Sequence, residues 1–383
     1  MKVAIFGGSG FIGYDFFRRA VRVPNLTLQL YSTSPQGLTN LKRHGVSITS
    51  IEMRQLPDLD LGDADVVVSF AHPFRVRDAL GAEEQIHNFA HCVRKNHQQR
   101  PRRLIQLSST AVYGQFKANH FFSECERPVP TGEQYSDQKI LMEEIFSSMG
   151  IPTILLRPSF VYGPFGIDFT DLVLNGFAAG SVDFHNLDGK CQPVYVRDVS
   201  ELIVRMIFDF EPGIFHATGP EVMTWLHYFR QHEIIVKGGS LVCRPEIRRN
   251  TDRPGFGELL KAAVLATLRL PEVREVIHPL VALFPRRIRS NMKAQVDVTR
   301  SDASLHRDRD ANLSGFNVNE ALRLRLKSKL ATDYFAQDRL VSSAKTLQRY
   351  PGACDTRLER VLDEIARYFL FRFTDQICKS SDV

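Results

Sequence analysis

The chain has 383 residues, 43% of them hydrophobic and 27 of them Phe, and carries a formal net charge of +6. That length exceeds one ordinary core and calls for two domains. There is no run of about 18 apolar residues to span a membrane, and no basic block interleaved with aromatics to mark a nucleic-acid surface; the modest positive charge suits an anionic cofactor and substrate.

In chain order, apolar runs predict strands at 2–6, 26–31, 46–51, 65–70, 103–108, 152–156 and 214–216. Helical periodicity predicts helices at 11–22, 35–44, 78–97, 132–149, 198–209 and 357–371. Strands alternating with helices at this spacing predict an α/β fold with a doubly wound parallel sheet. Met1 and Lys2 lead straight into the first strand, so no secretory leader is expected. Cys92, Cys125, Cys191, Cys243, Cys354 and Cys378 show no Cys-x-x-Cys spacing and read as reduced thiols of a cytoplasmic protein. His87 and His91 stand four apart, but no Glu occupies the position a zinc hydrolase needs between them. They read as surface histidines, and no metal is expected.

The first strand runs into Gly7, Gly10 and Gly13 at three-residue spacing, with Ser9, Phe11 and Ile12 between them. A dinucleotide site needs this pattern. One glycine makes the turn, one lets the backbone approach a pyrophosphate, and one lets the helix pack on its strand. The uncapped helix N-terminus then faces the phosphates. The fold expected is therefore of the Rossmann type. The second strand leads into Ser32, Thr33 and Ser34, with no acid to accept from a ribose 2′-hydroxyl. Lys42 and Arg43 follow on the next helix. NADP(H) is favoured on this ground, and NAD(H) stays open.

The strand at 103–108 ends in Ser108 and Ser109, and Tyr135 and Lys139 stand four apart on the helix that follows. Helical spacing puts the last two on one face. A phenol is a poor acid or base at neutral pH, and an adjacent ammonium moves it toward the working range. Ser109 can hydrogen-bond the same substrate oxygen. Together these form a proton relay suited to hydride transfer at a carbinol or carbonyl carbon.

Several stretches now resemble one family: Gly7 to Gly13, Leu107 to Gly114, Tyr135 to Lys139 with Glu143, Leu156 to Pro164, and Val194 to Val199. Near the end, Ser342 to Lys345, Leu347 and Tyr350-Pro351 look like its closing motif, followed by an amphipathic helix to about Phe371. The chain is similar to the extended short-chain dehydrogenase/reductases, in the NAD-dependent epimerase/dehydratase group. The resemblance implies that Tyr135 is the general acid/base. It gives Lys139 two tasks, lowering the Tyr135 pKa and holding the nicotinamide ribose, and it leaves Ser109 to orient the substrate oxygen.

It also implies an organisation. Residues 1–165, with 190–219 returning, would bind the nucleotide. Residues 166–189 and 220–383 would form a smaller, mostly helical substrate domain with an insertion at about 230–330. Three positions depart from the family. Thr110-Ala111 stands where the dehydratases carry Asp-Glu, so dehydration is discounted. Phe160 replaces a polar Asn, and the run Gly189 to Pro193, with Gln192, lacks an expected Arg. Thr110, Phe160 and Gln192 are taken as substrate-facing.

The insertion is the least family-like part. Val273, Val276, Ile277, Leu280, Val281 and Phe284 recur at helical spacing before Arg286, Arg287 and Arg289. A lid or a subunit face is expected, with peripheral membrane contact through 255–293 as the alternative. The resulting expectation is a cytoplasmic, homodimeric oxidoreductase or epimerase acting on a small molecule. Hydride would move at a secondary alcohol or ketone carbon, most simply on a nucleotide-linked sugar. Two alternatives stay open: a ketone reductase acting on a lipid or natural-product intermediate, and a non-catalytic nucleotide-binding scaffold.

Overall fold

The computed structural model describes residues 1–32, 47–72, 79–100, 102–114, 116–178, 181–184, 187–236, 240–243 and 335–380. The described residues belong to one compact unit, Met1–Arg244 with Asn317–Val383. Residues 245–316 lie outside the described residues, as do the expected helix at 35–44, Thr33, Ser34, Lys42, Arg43 and the segment 255–293.

Seven parallel strands make the main sheet: β1 (Lys2–Phe6), β2 (Thr27–Ser32), β3 (Ser47–Ser50), β4 (Val66–Ser69), β5 (Arg103–Leu107), β6 (Thr153–Pro158) and β7 (Gly213–Ala217). Their order across the sheet is β7-β6-β5-β4-β1-β2-β3. Every pair is parallel, so each connection must cross over a face. That covers both faces and explains why β1, β4, β5 and β6 read as nearly unbroken apolar runs. The expected fold class holds, with strand ends displaced by two residues or fewer.

Alternate residues serve the two layers. Ile5, Val68, Ile105 and Leu156 face α1 (Phe11–Ala20) and α5 (Val196–Phe208), where Phe16, Phe17 and Met206 are buried. Phe6, Val67, Leu104 and Leu155 face α2 (Ala79–Gln99) and α3 (Gln134–Ser147), where Phe89, Met142 and Phe146 are buried. A third cluster joins Phe160, Trp225, Tyr228 and Phe335. It draws on α4 (Leu172–Ala178), α6 (Trp225–Ile235) and α8 (Leu358–Ser380). Between α6 and α8, α7 (Ala344–Arg349) lies against β7, and Thr346 Oγ1 donates to His216 O at 2.7 Å. Asp338 bridges two loops, accepting from Asn119 N at 2.7 Å and Lys190 N at 2.9 Å. Among the described residues no helix is long and apolar enough to cross a membrane.

The order of the strands reverses between β1 and β4, which opens a crevice at their C-terminal ends. Gly7, at φ 75°, turns the chain there. A Cβ on Gly13 would sit 2.4 Å from Gly7 O and 2.9 Å from Gly8 Cα, both backbone. A Cβ on Gly10 would meet only Gly7 O, at 3.3 Å. Gly13→Ala should therefore cost about 1–3 kcal/mol by overpacking, seen as a lower calorimetric midpoint, while Gly10→Ala keeps its midpoint close to the parent's. Equal midpoints for the two variants would contradict this division.

Candidate active site

The crevice is lined first by the turn after β1. Gly10 N donates to Gly7 O at 3.0 Å, closing the turn, and α1 starts at Phe11. Gly10 caps the helix without a side-chain bond, and its first turn holds no acid. These amides and the helix dipole present a positive end to an anion. Gly10 is exposed and has ordinary φ, so its lack of a side chain matters for what approaches from outside. Phe11 packs beside Gly166, where a Cβ would lie 2.9 Å from its ring. Ile12 packs against the core beneath α1, while Ser9 lies half-buried in the turn. Ser32 is buried at the end of β2, its carbonyl accepting from Ile51 N at 3.0 Å.

The second wall is the end of β5. Of two adjacent serines the fold uses one internally. Ser108 is buried and its Oγ donates to Glu143 Oε1 at 2.5 Å. Ser109 is half-buried and caps the short 3-10 helix Thr110–Tyr113, its Oγ accepting from Ala111 N at 3.1 Å. Ala111 O in turn accepts from Ser136 Oγ at 2.6 Å, which draws the first turn of α3 against this segment. One turn on, Lys139 Nζ donates to Leu107 O at 2.8 Å. These two bonds bring Ser109, Tyr135 and Lys139 to the same end of the sheet.

Tyr135 is half-buried. Its ring lies 5.8 Å from Lys139 Nζ and 5.0 Å from the His72 ring, which follows β4. Lys139 is fully enclosed, and burial brings its pKa down to about 7 against the opposing pull of Glu143. Burial, then the Lys139 charge, hold His72 well below its ordinary value, so it is a neutral imidazole at neutral pH.

Beneath this group runs a buried polar network. Glu143 accepts from Arg157 at both oxygens, Nε to Oε1 at 2.8 Å and Nη2 to Oε2 at 2.5 Å. Arg157 Nη1 donates to Tyr113 Oη at 2.8 Å, and Tyr113 Oη lies 2.6 Å from His216 Nε2. His216 Nδ1 lies 2.7 Å from Ser342 O, and Glu124 stands 3.7 Å away. Burial opposes the Arg157 charge, but its bonds to Glu143 and Tyr113 hold its pKa above the ordinary value. Burial pushes the Tyr113 phenol up to about 12.

The three substrate-facing candidates sit differently. Thr110 is buried in the 3-10 helix. Phe160 packs inside the aromatic cluster, 4.5 Å from Trp225 and 4.9 Å from Tyr228 between ring centroids. Gln192 Oε1 accepts from Val341 N at 2.8 Å, and Gln192 O accepts from Ser159 Oγ at 2.5 Å. Sequence reasoning missed His72, Arg157, Tyr113 and His216. Tyr113 and Arg157 stand in stretches that resemble the family but carry no role there, and His72 is an ionisable residue just past a buried strand at the crevice. Among the described residues, no three His, Cys, Asp or Glu side chains gather to hold a metal.

The depressed Lys139 pKa has a stability consequence. The unfolded chain keeps this proton up to about pH 10, and the folded chain only to about 7. The unfolded state therefore binds more protons across that window, and the contribution of Lys139 to stability rises with pH. Lys139→Met should melt higher than the parent below about pH 7, with the gap closing toward about pH 10. A gap of constant size across the window would contradict a depressed Lys139.

Residues 3–215 match the NAD dependent epimerase/dehydratase family. Over 134 residues the chain is 23% identical to the spore coat polysaccharide biosynthesis protein SpsK of Bacillus subtilis. That match covers 34% of this chain and 47% of SpsK, so the chain spans about half the length of this curated relative. Among solved structures it is similar to a UDP-glucose 4-epimerase from Thermotoga maritima, with UDP-glucose, at TM-score 0.55 and 17% identity, covering 65% of this chain and 87% of that one. It is also similar to a dTDP-glucose 4,6-dehydratase from Bacillus anthracis in complex with NAD, at TM-score 0.54 and 18% identity, covering 63% and 84%. A UDP-glucuronic acid 4-epimerase from Bacillus cereus, in complex with UDP-glucuronic acid and NAD, gives TM-score 0.54 at 18% identity, covering 64% and 87%. These likenesses are of fold. The family match spans more than half of the chain, and the protein belongs to the NAD dependent epimerase/dehydratase family.

Proposed function

We propose that the protein is an NAD(P)-dependent oxidoreductase or epimerase acting at a secondary alcohol or ketone carbon of a nucleotide-linked sugar. The observation that carries this reading is the placement of Ser109, Tyr135 and Lys139 at the strand ends that also present the glycine turn. The residues present fit a dinucleotide. Gly10 leaves room at the turn, the first turn of α1 is uncapped, and Lys139 keeps donors beyond the one given to Leu107. Gly7, Ser9, Gly10, Phe11, Ile12 and Gly13 would hold the pyrophosphate, and Tyr135 and Lys139 the nicotinamide ribose.

Bound there, the nicotinamide accepts or supplies the hydride. The proton steps belong to the chain. Tyr135 Oη takes the proton of the substrate hydroxyl during oxidation and returns it on reduction. The neighbouring Lys139 ammonium favours the phenolate. Ser109 Oγ hydrogen-bonds the same substrate oxygen and fixes its distance from the phenol. Thr110 and Ala111 place no carboxylate after Ser109, so no elimination of water is assigned. In this reading residues 1–165 and 190–219 serve the nucleotide, and 166–189 with 220–383 serve the substrate.

Tyr135→Phe should lower turnover about 10²–10⁴-fold, the usual contribution of a general acid/base, with nucleotide affinity kept within a few-fold. Turnover at the parent rate would overturn the assignment. β2 ends in Ser32, and Thr33 and Ser34 follow in the sequence with no carboxylate, which supports NADP(H) over NAD(H). Titration calorimetry should find NADPH bound more tightly than NADH. A tenfold preference for NADH would reverse the cofactor reading.

A further inference from the structure

Lys139 and Arg157 are both buried, and the carboxylate of Glu143 is bonded to Arg157. Lys139 and Arg157 are 3% and 1% exposed, and Glu143 is 3% exposed. Tyr135, Lys139 and Glu143 follow one another at four-residue steps along α3, so they share one face. Glu143 is fixed by three hydrogen bonds from two partners, Arg157 at both oxygens and Ser108 at one. Its serine partner adjoins Leu107, which takes the Lys139 proton donor, and precedes Ser109. The Lys139–Glu143 pair is thereby clamped onto two consecutive residues of β5 and its exit.

We propose that Glu143 is the positioning residue of the Tyr135–Lys139 pair, supplying the single carboxylate that lets the Lys139 ammonium and the Arg157 guanidinium coexist beneath it. Without that carboxylate nothing offsets the burial of the Lys139 charge. Arg157 does not lose its proton in a protein, so it is Lys139 that releases its proton more readily. The other charged or titratable groups around the pair do not replace Glu143. Tyr135 shares α3 and carries no carboxylate, while His72, from the segment after β4, and Tyr113, from the 3-10 helix, are neutral at neutral pH. His216 on β7 and Glu124 lie beyond Tyr113, on the far side of Arg157. Burial opposes the Lys139 charge, and Glu143 is the one group that supports it.

This inference rests on the reading of Tyr135 as acid/base, so its test needs one readout free of turnover. The ε-methylene of Lys139 in carbon-13-labelled protein, assigned by its loss in Lys139→Arg, reports the charge by NMR titration. The alkaline limb of kcat/KM reports it through the reaction. In Glu143→Gln, which preserves shape, both midpoints should fall by about one to three pH units. In Arg157→Met the carboxylate keeps only its bond from Ser108 and supports the Lys139 charge more fully, so both should rise. The double variant should return close to the parent.

A merely structural role predicts that each single variant loses stability and rate with its midpoints unmoved, and that result overturns the proposal. If Glu143→Gln does not fold, Arg157→Met decides alone, and a midpoint that stays or falls overturns it. An NMR midpoint that shifts in a protein showing no hydride chemistry would leave the positioning role standing and remove the reaction reading. Intact Tyr135-dependent turnover with immobile midpoints would do the reverse.

Discussion

The site depends on one buried ion pair. Arg157 at the end of β6 and Glu143 on α3 meet through two hydrogen bonds in a place from which water is excluded. Such a pair gains little net stability over apolar packing, because taking both charges out of water costs several kcal/mol each. Its value here is geometric. Ser108 and Tyr113 take up the remaining valences, so β5, β6, α3 and the 3-10 helix are held at one point. Removing either partner leaves an uncompensated charge, which is far costlier than never having had the pair. The arrangement of Ser109, Tyr135 and Lys139 is thus fixed from below by groups that do not face the crevice.

The same economy governs the crevice itself. Parallel strands buried on both faces carry their connections at the strand ends, and the reversal of strand order between β1 and β4 parts those connections at the C-terminal edge. The glycine turn and the Ser109–Tyr135–Lys139 group occupy that edge, while helices cover the two faces. Lys139 shows the tension most plainly. Enclosed tightly enough to lose its charge near neutrality, it is kept near that point by a carboxylate one helical turn away.

Much of this was legible in the sequence. The strands announced themselves as apolar runs because a doubly covered sheet needs them, and the glycine turn and the Tyr135–Lys139 spacing are local patterns. The network was not legible. Glu143 and Arg157 are 14 residues apart and Tyr113 and His216 are 103 apart, and only tertiary structure makes them neighbours. Ser108 and Ser109 are indistinguishable as letters; burial at the strand end assigns one to Glu143 and leaves the other at the crevice. Helix α6 was overlooked although Trp225, Tyr228, Phe229 and His232 recur on one buried face, behind a Thr224 cap that accepts from His227 N at 3.2 Å. Helix α8 runs to Ser380 rather than to Phe371, since neither Gly nor Pro stops it.

In the proposed function this edge moves a hydride under proton control by Tyr135. The most direct test is isotope transfer from a nicotinamide cofactor deuterated at the reactive carbon. The labelled cofactor is incubated with the protein and a panel of nucleotide-linked sugars and ketosugars, and the sugars are read by mass spectrometry. The account predicts deuterium on a single carbinol carbon of one substrate class, lost in Tyr135→Phe while the cofactor still binds. Bound cofactor with no deuterium in any sugar, or transfer undiminished in Tyr135→Phe, would contradict it.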